Sequence, residues 1–472
     1  MRVLAIDQGT TATKGLVLNH KGHIESVTTL DHQQFYPAQG WVEHDARELL
    51  DNVLALAAAH PEVDAIGLDN QGETVVAWDR FTGEPLSPAI VWQDTRTQPE
   101  VDALKAAGHE NDIISLTGLP LDSYFSASKI AWLYRIIGNA ADLLAEGRLC
   151  ISTTDAFFLH HLAGNGVTDT TTASRTSLMN IKTGQWEESL LSLFGVPQGV
   201  LPDIVPSCGI IGYFNKTPVT AAIVDQQASL YGHRCDKAGD VKITFGTGAF
   251  ALAVCDQLPP PDTLNGVLPT IALTTESQTH YALDAGIYNA ASAVNWSRQL
   301  GLFHDFDAIN SFENRSAIEQ GIAFVPALSG LASPYWDRQA GAMWIGMSLD
   351  TEKETLCQAV LEGIAFLAAD LVDGLQRHTP PISTISVDGG LSNNPYFCQF
   401  LADCLQIQVS VPDTGEITAY GTALLAFKGI GQEVNVANEG TEIYIPRPLD
   451  ESLRTVYKEA VSRSLQWHGT DE

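Results

Sequence analysis

Three short stretches hold residues whose types and spacing can do chemistry. In AIDQGTTATKG, residues 5–15, an apolar run ends on the acid Asp7, and a polar loop with Gly9 and three threonines leads to Lys14 and a second apolar run. The pattern reads as strand, turn, strand, and the turn is either a phosphate cradle or a solvated bend. VKITFGTGAFALAV, residues 241–254, repeats the plan about half a chain later, with Gly246, Thr247 and Gly248 at the turn. Glycine and threonine populate tight turns for steric reasons alone, so one such hairpin says little. Two of them, each near the start of a half, would clamp a polyphosphate with backbone N–H groups. In ISVDGGLSNNPYFCQFLADCL, residues 385–405, a strand ends at Asp388 and turns through Gly389 and Gly390. Asn394 and Pro395 then read as N-cap and first residue of a helix with Phe397, Phe400, Leu401, Cys404 and Leu405 on one face. Alone this is a capped helix; after two phosphate-type turns it is a place for a nucleotide to lie against bare backbone.

Catalysis also needs an acid or base. In AAIVDQQASLYGH, Asp225 follows an apolar run and precedes a helical stretch, so it is either a helix cap or a base at the end of the first half. Glu73 in NQGETVVAWD has the same two readings, turn residue or site residue. No HExxH, GxSxG or GxxxxGK[ST] motif occurs, which leaves zincin, serine hydrolase and P-loop chemistry without support.

The elements that must position these residues alternate: short strand-like runs and amphipathic helical stretches, the α/β pattern. A chain of 472 residues with 45% hydrophobic content has enough apolar surface for two cores, and the pattern restarts near residue 235. We therefore expect domains at 1–234 and 235–472. A formal net charge of −30 offers no basic footprint for nucleic acid or an anionic membrane. Seven scattered cysteines without a CxxC pair read as reduced thiols, and with no apolar run of eighteen residues the expected location is cytoplasmic. A C-terminal stretch with Leu453, Val456, Tyr457, Ala460 and Val461 on one face reads as a helix, its packing on the first domain left open by the sequence.

Taken together, DQGTTATKG, GWVEHD, NQGETVVAWDR, AIVWQDTRT, TGLPLDSYFSASKIAWL, TDTTTASRTSLMNI, VDQQASLYGH, TFGTGAF, ALSGLASPYWD, VDGGLSNNP and GEITAYGTALLAF resemble the FGGY carbohydrate kinases, most closely the glycerol kinases, over nearly the whole chain. The resemblance implies two ribonuclease-H-like α/β domains of the sugar kinase/actin type, with an interdomain cleft. It implies ATP and Mg2+: Asp7 at the metal, largely through water, Thr10, Thr11 and Lys14 near the transferring phosphoryl group, Gly246, Thr247 and Gly248 as the second phosphate turn, and Gly389, Gly390 and Asn394 on the adenosine side. For the acceptor it implies Glu73, Tyr124, Asp225 as base, and the aromatic walls Trp92 and Phe250. Gly72 stands where the resembling kinases carry an arginine. From that gap, and from Asn289 as an extra hydrogen-bonding group, the expected acceptor is a four- or five-carbon polyol or ketose, with glycerol as the alternative. An actin- or chaperone-like ATP-driven binding protein is the reading from another class. The partner is a small molecule, and a homodimer or homotetramer fits the family.

Overall fold

A computed structural model describes residues 1–264, 266–434 and 440–469. The chain divides into two compact units, one formed by Met1–Arg234, Thr270–Tyr281 and Glu416–Ala437, the other by Cys235–Pro269, Ala282–Gly415 and Asn438–Glu472. The first break falls where the pattern restarts, but the contiguous division 235–472 needs correction, because two later segments return to the first unit. The helix Ile417–Gly429 shows why. It buries Ala419, Ala423, Leu424 and Phe427 against Val3, Ala5, Leu16, Ala221 and Ile223, so its apolar face completes the first unit's core.

The first unit has a six-stranded sheet in the order Cys208–Phe214, Thr217–Val224, Ala65–Asn70, Arg2–Gln8, Ala12–Asn19 and Ile24–Asp31. Arg2–Gln8 runs parallel to Ala65–Asn70 and antiparallel to Ala12–Asn19, so the register sets Asp7 beside both Asp69 and Lys14. Buried on both faces, these strands read as near-continuous apolar runs. The helix Ala46–Ala59 covers the face opposite Ile417–Gly429; it starts where Asp45 accepts the N–H groups of Arg47 and Glu48 and buries Leu49, Leu50, Val53 and Leu56. A second sheet, in the order Gln34–Phe35, Glu43–His44, Ala89–Ile90, Val75–Asp79 and Leu149–Thr153, carries the segments around Glu73 and Trp92.

In the second unit, Ala249–Cys255, Val241–Phe245, Thr384–Asp388, Gln408–Val411 and Glu442–Tyr444 are neighbours in that order. Its core helix, Lys353–Gln376, is long and apolar enough to cross a membrane by composition but is almost wholly buried in the unit. The C-terminal helix Glu451–Ser464 packs on it: Tyr457 stacks on Phe366 at 4.7 Å and its hydroxyl donates to the Gly363 carbonyl at 2.9 Å. The element that completes the first unit is thus not the terminal helix but Ile417–Gly429.

Candidate phosphoryl-transfer site

The first hairpin turn is closed by the Gly9 N–H donating to the Ala12 carbonyl at 3.0 Å, which leaves Thr10 and Thr11 at its tip. Thr10 Oγ1 accepts from the Trp92 indole N–H at 3.1 Å, so the turn and one expected aromatic wall are tied together. Lys14, expected beside a phosphoryl group, holds Glu416 instead, with Nζ 2.6 Å from the carboxylate. An incoming phosphate would have to share this cation with Glu416.

Asp7 and Asp69, opposed in register, form a carboxyl pair in the interior. Burial pushes Asp7 up from the usual carboxylate range, while the charge of Lys14 pulls it down. Asp69 is pushed well up by burial and by the charges of Asp7 and Asp225. Thr422 donates to Asp69 Oδ2 at 2.6 Å, and Asp69 Oδ1 has no hydrogen-bond partner among the described residues. Two facing carboxylates and an orphaned oxygen suit a cation. Among the described residues no group of three or more His, Cys, Asp or Glu side chains is arranged to hold a metal. The Asp7–Asp69 pair is of the kind Mg2+ uses, since that ion takes one or two carboxylates and completes its shell with phosphates and water. Nothing marked Asp69 in the sequence except an acid inside the apolar run AIGLD.

On the acceptor side of the same unit, Glu73 is 3% exposed and sits in the left-handed backbone region at φ 58°. Its carboxylate receives the Nε–H of Arg175 at 2.6 Å. The Arg175 guanidinium carbon lies 5.9 Å from the Tyr124 ring centre, and Tyr124 meets Trp92 edge-on at 5.6 Å. Glu73, Trp92 and Tyr124 are thus brought together, with Arg175 as a member that sequence reasoning missed. Its sole trace was its presence in TDTTTASRTSLMNI. Lys129, also missed, is 0% exposed beneath this cluster and donates to the Tyr124 carbonyl at 2.7 Å. At Gly72 a Cβ would stand 2.9 Å from a Val224 methyl and meet no other atom within 4 Å. Asp225 is the first residue of the helix Asp225–Gly232, with Val224 in the cap position, and its Oδ1 accepts the Gln226 N–H at 2.7 Å. It is half-buried and close enough to Asp69 for their charges to repel.

In the second unit the Gly246-Thr247-Gly248 turn is built for close approach. A Cβ on Gly248 would stand 2.5 Å from the Ile287 carbonyl oxygen. The Gly246 and Thr247 carbonyls accept N–H groups of Ala290, Ala291 and Ser292, and so cap the helix Ala291–Gln299. Phe250 follows, 37% exposed. Gly389 adopts φ 89° and presses on Phe245, where a Cβ would meet the carbonyl oxygen at 2.4 Å; at Gly390 an added Cβ meets nothing. That bare surface suits a flat ligand. The Asn394 side chain is engaged within the protein: Oδ1 accepts the Phe397 N–H at 2.8 Å and Nδ2 donates to the Ile309 carbonyl at 2.9 Å. Asn289 likewise ties its own loop, accepting from the Ser329 N–H at 2.9 Å and donating to the Ser292 hydroxyl at 3.1 Å.

Comparison with known proteins agrees with this arrangement. Residues 2–232 match the N-terminal domain of the FGGY family of carbohydrate kinases, and residues 241–430 match its C-terminal domain. A glycerol kinase of Trichlorobacter lovleyi is 36% identical over 491 residues, covering 98% of this chain and 99% of its own. One from Limosilactobacillus reuteri is 38% identical over 451 residues, covering 90% of this chain and 88% of its own. Among solved structures, Plasmodium falciparum glycerol kinase with ADP superposes with a TM-score of 0.90 at 30% identity over 98% of both chains. A xylulose kinase of Lactobacillus acidophilus shares the fold, with a TM-score of 0.83 at 21% identity over 98% of this chain and 96% of that one.

Proposed function

The chain belongs to the FGGY family of carbohydrate kinases, ATP-dependent phosphotransferases with an alcohol as acceptor, and on that premise we propose that its acceptor is glycerol. The observation that carries this reading is the first unit's acceptor cluster. The case for a longer substrate needed space at Gly72 and hydrogen bonds from Asn289. A Val224 methyl stands 2.9 Å from the place of a Cβ at position 72, and Ser292 and Ser329 engage Asn289. What remains is a compact set, Glu73, Arg175, Tyr124 and Trp92, in mutual contact. The full-length relatives named glycerol kinase support the same acceptor over the ketoses.

In this mechanism Glu73 accepts hydrogen bonds from acceptor hydroxyls while Trp92 and Tyr124 shield the carbon chain. Asp225 orients the terminal hydroxyl and takes its proton as the oxygen bonds to the γ-phosphorus and the bond to the ADP oxygen breaks. A loose transition state asks for alignment and charge neutralisation more than for a strong base. The Thr10–Thr11 turn and the Gly246–Gly248 turn offer backbone donors to phosphate, and Gly390 leaves room for the nucleoside. Asp7, with Asp69 beside it, would hold Mg2+, which when bound neutralises charge on the phosphates.

The test is kcat/KM across glycerol, erythritol, threitol, erythrulose, xylulose, ribulose and the pentitols, because specificity is that ratio. We expect glycerol to lead by about tenfold or more, the discrimination that roughly 1.4 kcal/mol confers. A four- or five-carbon acceptor equal to or better than glycerol would overturn the assignment.

A further inference from the structure

His32 is a buried histidine that packing alone does not explain. It follows the strand Ile24–Asp31 and is 8% exposed, and its ring Nδ1 has no hydrogen-bond partner among the described residues. A buried polar atom without a partner costs stability that an apolar side chain of similar size would not. The other ring nitrogen accounts for the residue: Nε2 lies 3.1 Å from the Thr10 carbonyl oxygen. A carbonyl only accepts, so Nε2 carries the proton and donates it. Burial pushes the pKa of the ring down from the usual histidine value, against the charges of Glu48 and Asp31, so the ring is neutral at pH 7. The His32 backbone N–H reaches the next carbonyl of the turn, that of Thr11, at 3.4 Å. His44, itself buried, meets the ring edge-on at 5.0 Å between centroids and holds the Gln33 carbonyl at 3.0 Å, which fixes the ring's orientation.

We propose that His32 is a positioning residue of the phosphoryl-transfer site, holding the Thr10 carbonyl so that the N–H on the far side of the same peptide faces the phosphates. This rests on the reading of the Thr10–Thr11 turn as a phosphate cradle. The Thr10 carbonyl and the Thr11 N–H belong to one planar trans peptide and point in opposite directions. Tying the oxygen to the buried ring therefore turns the Thr11 N–H away from the interior, on the side where Thr11 is exposed. Thr10 is pinned a second time through its hydroxyl, which accepts from the Trp92 indole at 3.1 Å, so peptide plane and side chain are held separately. A donor aimed before the ligand arrives needs no reorganisation at the moment of reaction, which is what makes backbone N–H groups effective at developing charge. Without the ring's bond the peptide is free to rotate and to turn its oxygen, an acceptor, toward an anion. The bond needs a donor at the reach of Nε2. The terminal amide nitrogen of a glutamine has that reach, that of an asparagine stops where Nδ1 does, and a methionine has the length without the donor.

The experiment compares His32→Gln, His32→Asn and His32→Met with the wild-type enzyme in steady-state kinetics, with ATP and acceptor varied in turn and the best acceptor of the panel used throughout. We expect His32→Asn and His32→Met to lose about tenfold or more in kcat/KM for ATP, a part of the roughly 10²–10³ that an aimed donor is worth. KM for ATP should rise by at least about threefold while KM for the acceptor changes less than that, and His32→Gln should stay within about threefold of wild type in every constant. His32→Gln as impaired as the other two, or His32→Asn and His32→Met as active as wild type, overturns the proposal. So does a fall in kcat with both Michaelis constants unchanged, which reports lost active enzyme and a merely structural role. If His32→Asn shows no cooperative thermal unfolding, His32→Met decides; if neither does, His32 belongs to the fold and the proposal falls. The acceptor panel can favour a longer polyol while this pattern holds, and glycerol can lead while it fails, so the two readings fail separately.

Discussion

Lys129 should make the stability of the first unit depend on pH in a window where few side chains do. It lies on the helix Ser126–Ile136 with no exposed surface, and its Nζ donates to the Tyr124 and Phe125 carbonyls at 2.7 and 3.5 Å. Burial pushes its pKa down from 10.5 to about 8, against the pull of Glu73, Asp94 and Asp122 and with the push of Arg96. Between those two values the unfolded chain binds more protons than the folded one, so stability rises with pH there. The contribution is complete above about 10.5 and absent below about 8. A difference of roughly 2.5 units at about 1.36 kcal/mol each is on the order of 3 kcal/mol. Lys129→Met keeps the length of the side chain and removes the charge. Urea unfolding followed by tryptophan fluorescence from pH 7.5 to 10.5 gives the free energy of each protein. We expect wild type minus variant to climb by about 3 kcal/mol over that range. Buried thiols such as Cys150, whose pKa burial pushes up to about 12, drive stability the other way as pH rises, but they do so in both proteins and drop out of the difference. A flat difference would refute the reasoning, because it would mean that Lys129 carries the same proton folded and unfolded.

Two further outcomes follow from the same geometry. Asp225→Asn should lower kcat by at least about a hundredfold with KM for ATP little changed, as expected for a group that acts on the reacting hydroxyl; near-normal turnover would reduce Asp225 to a helix-start residue. Gly421→Ala should destabilise the first unit by about 1–3 kcal/mol or more in thermal unfolding, because its Cβ would stand 1.9 Å from the Ala228 carbonyl oxygen, whereas Gly138→Ala, with nothing within 4 Å, should be neutral or slightly stabilising.

What could be read from the sequence is what neighbouring residues decide. Each hairpin is local: an apolar run, a Gly/Thr turn and a second apolar run are enough to set the Asp7–Lys14 and Phe245–Ala249 registers. The Asn394–Pro395 helix start is local too, and the structure shows that the cap takes up the very side chain also expected at the nucleotide. What could not be read has a different cause. Lys14 meets Glu416 across 402 positions and Arg175 meets Glu73 across 102, and no period or spacing connects such partners. An amphipathic stripe predicts that a helix is buried without naming what covers it, which is why the terminal helix drew attention while Ile417–Gly429 supplied the first unit's missing layer. Gly72 is the sharpest case. A glycine in place of a long cation reads, residue by residue, as lost charge and gained volume. In three dimensions a Val224 methyl stands beside the place of a Cβ there, and Arg175 brings a guanidinium to the Glu73 carboxylate. Specificity argued from one position needs the neighbours in space before it can be trusted.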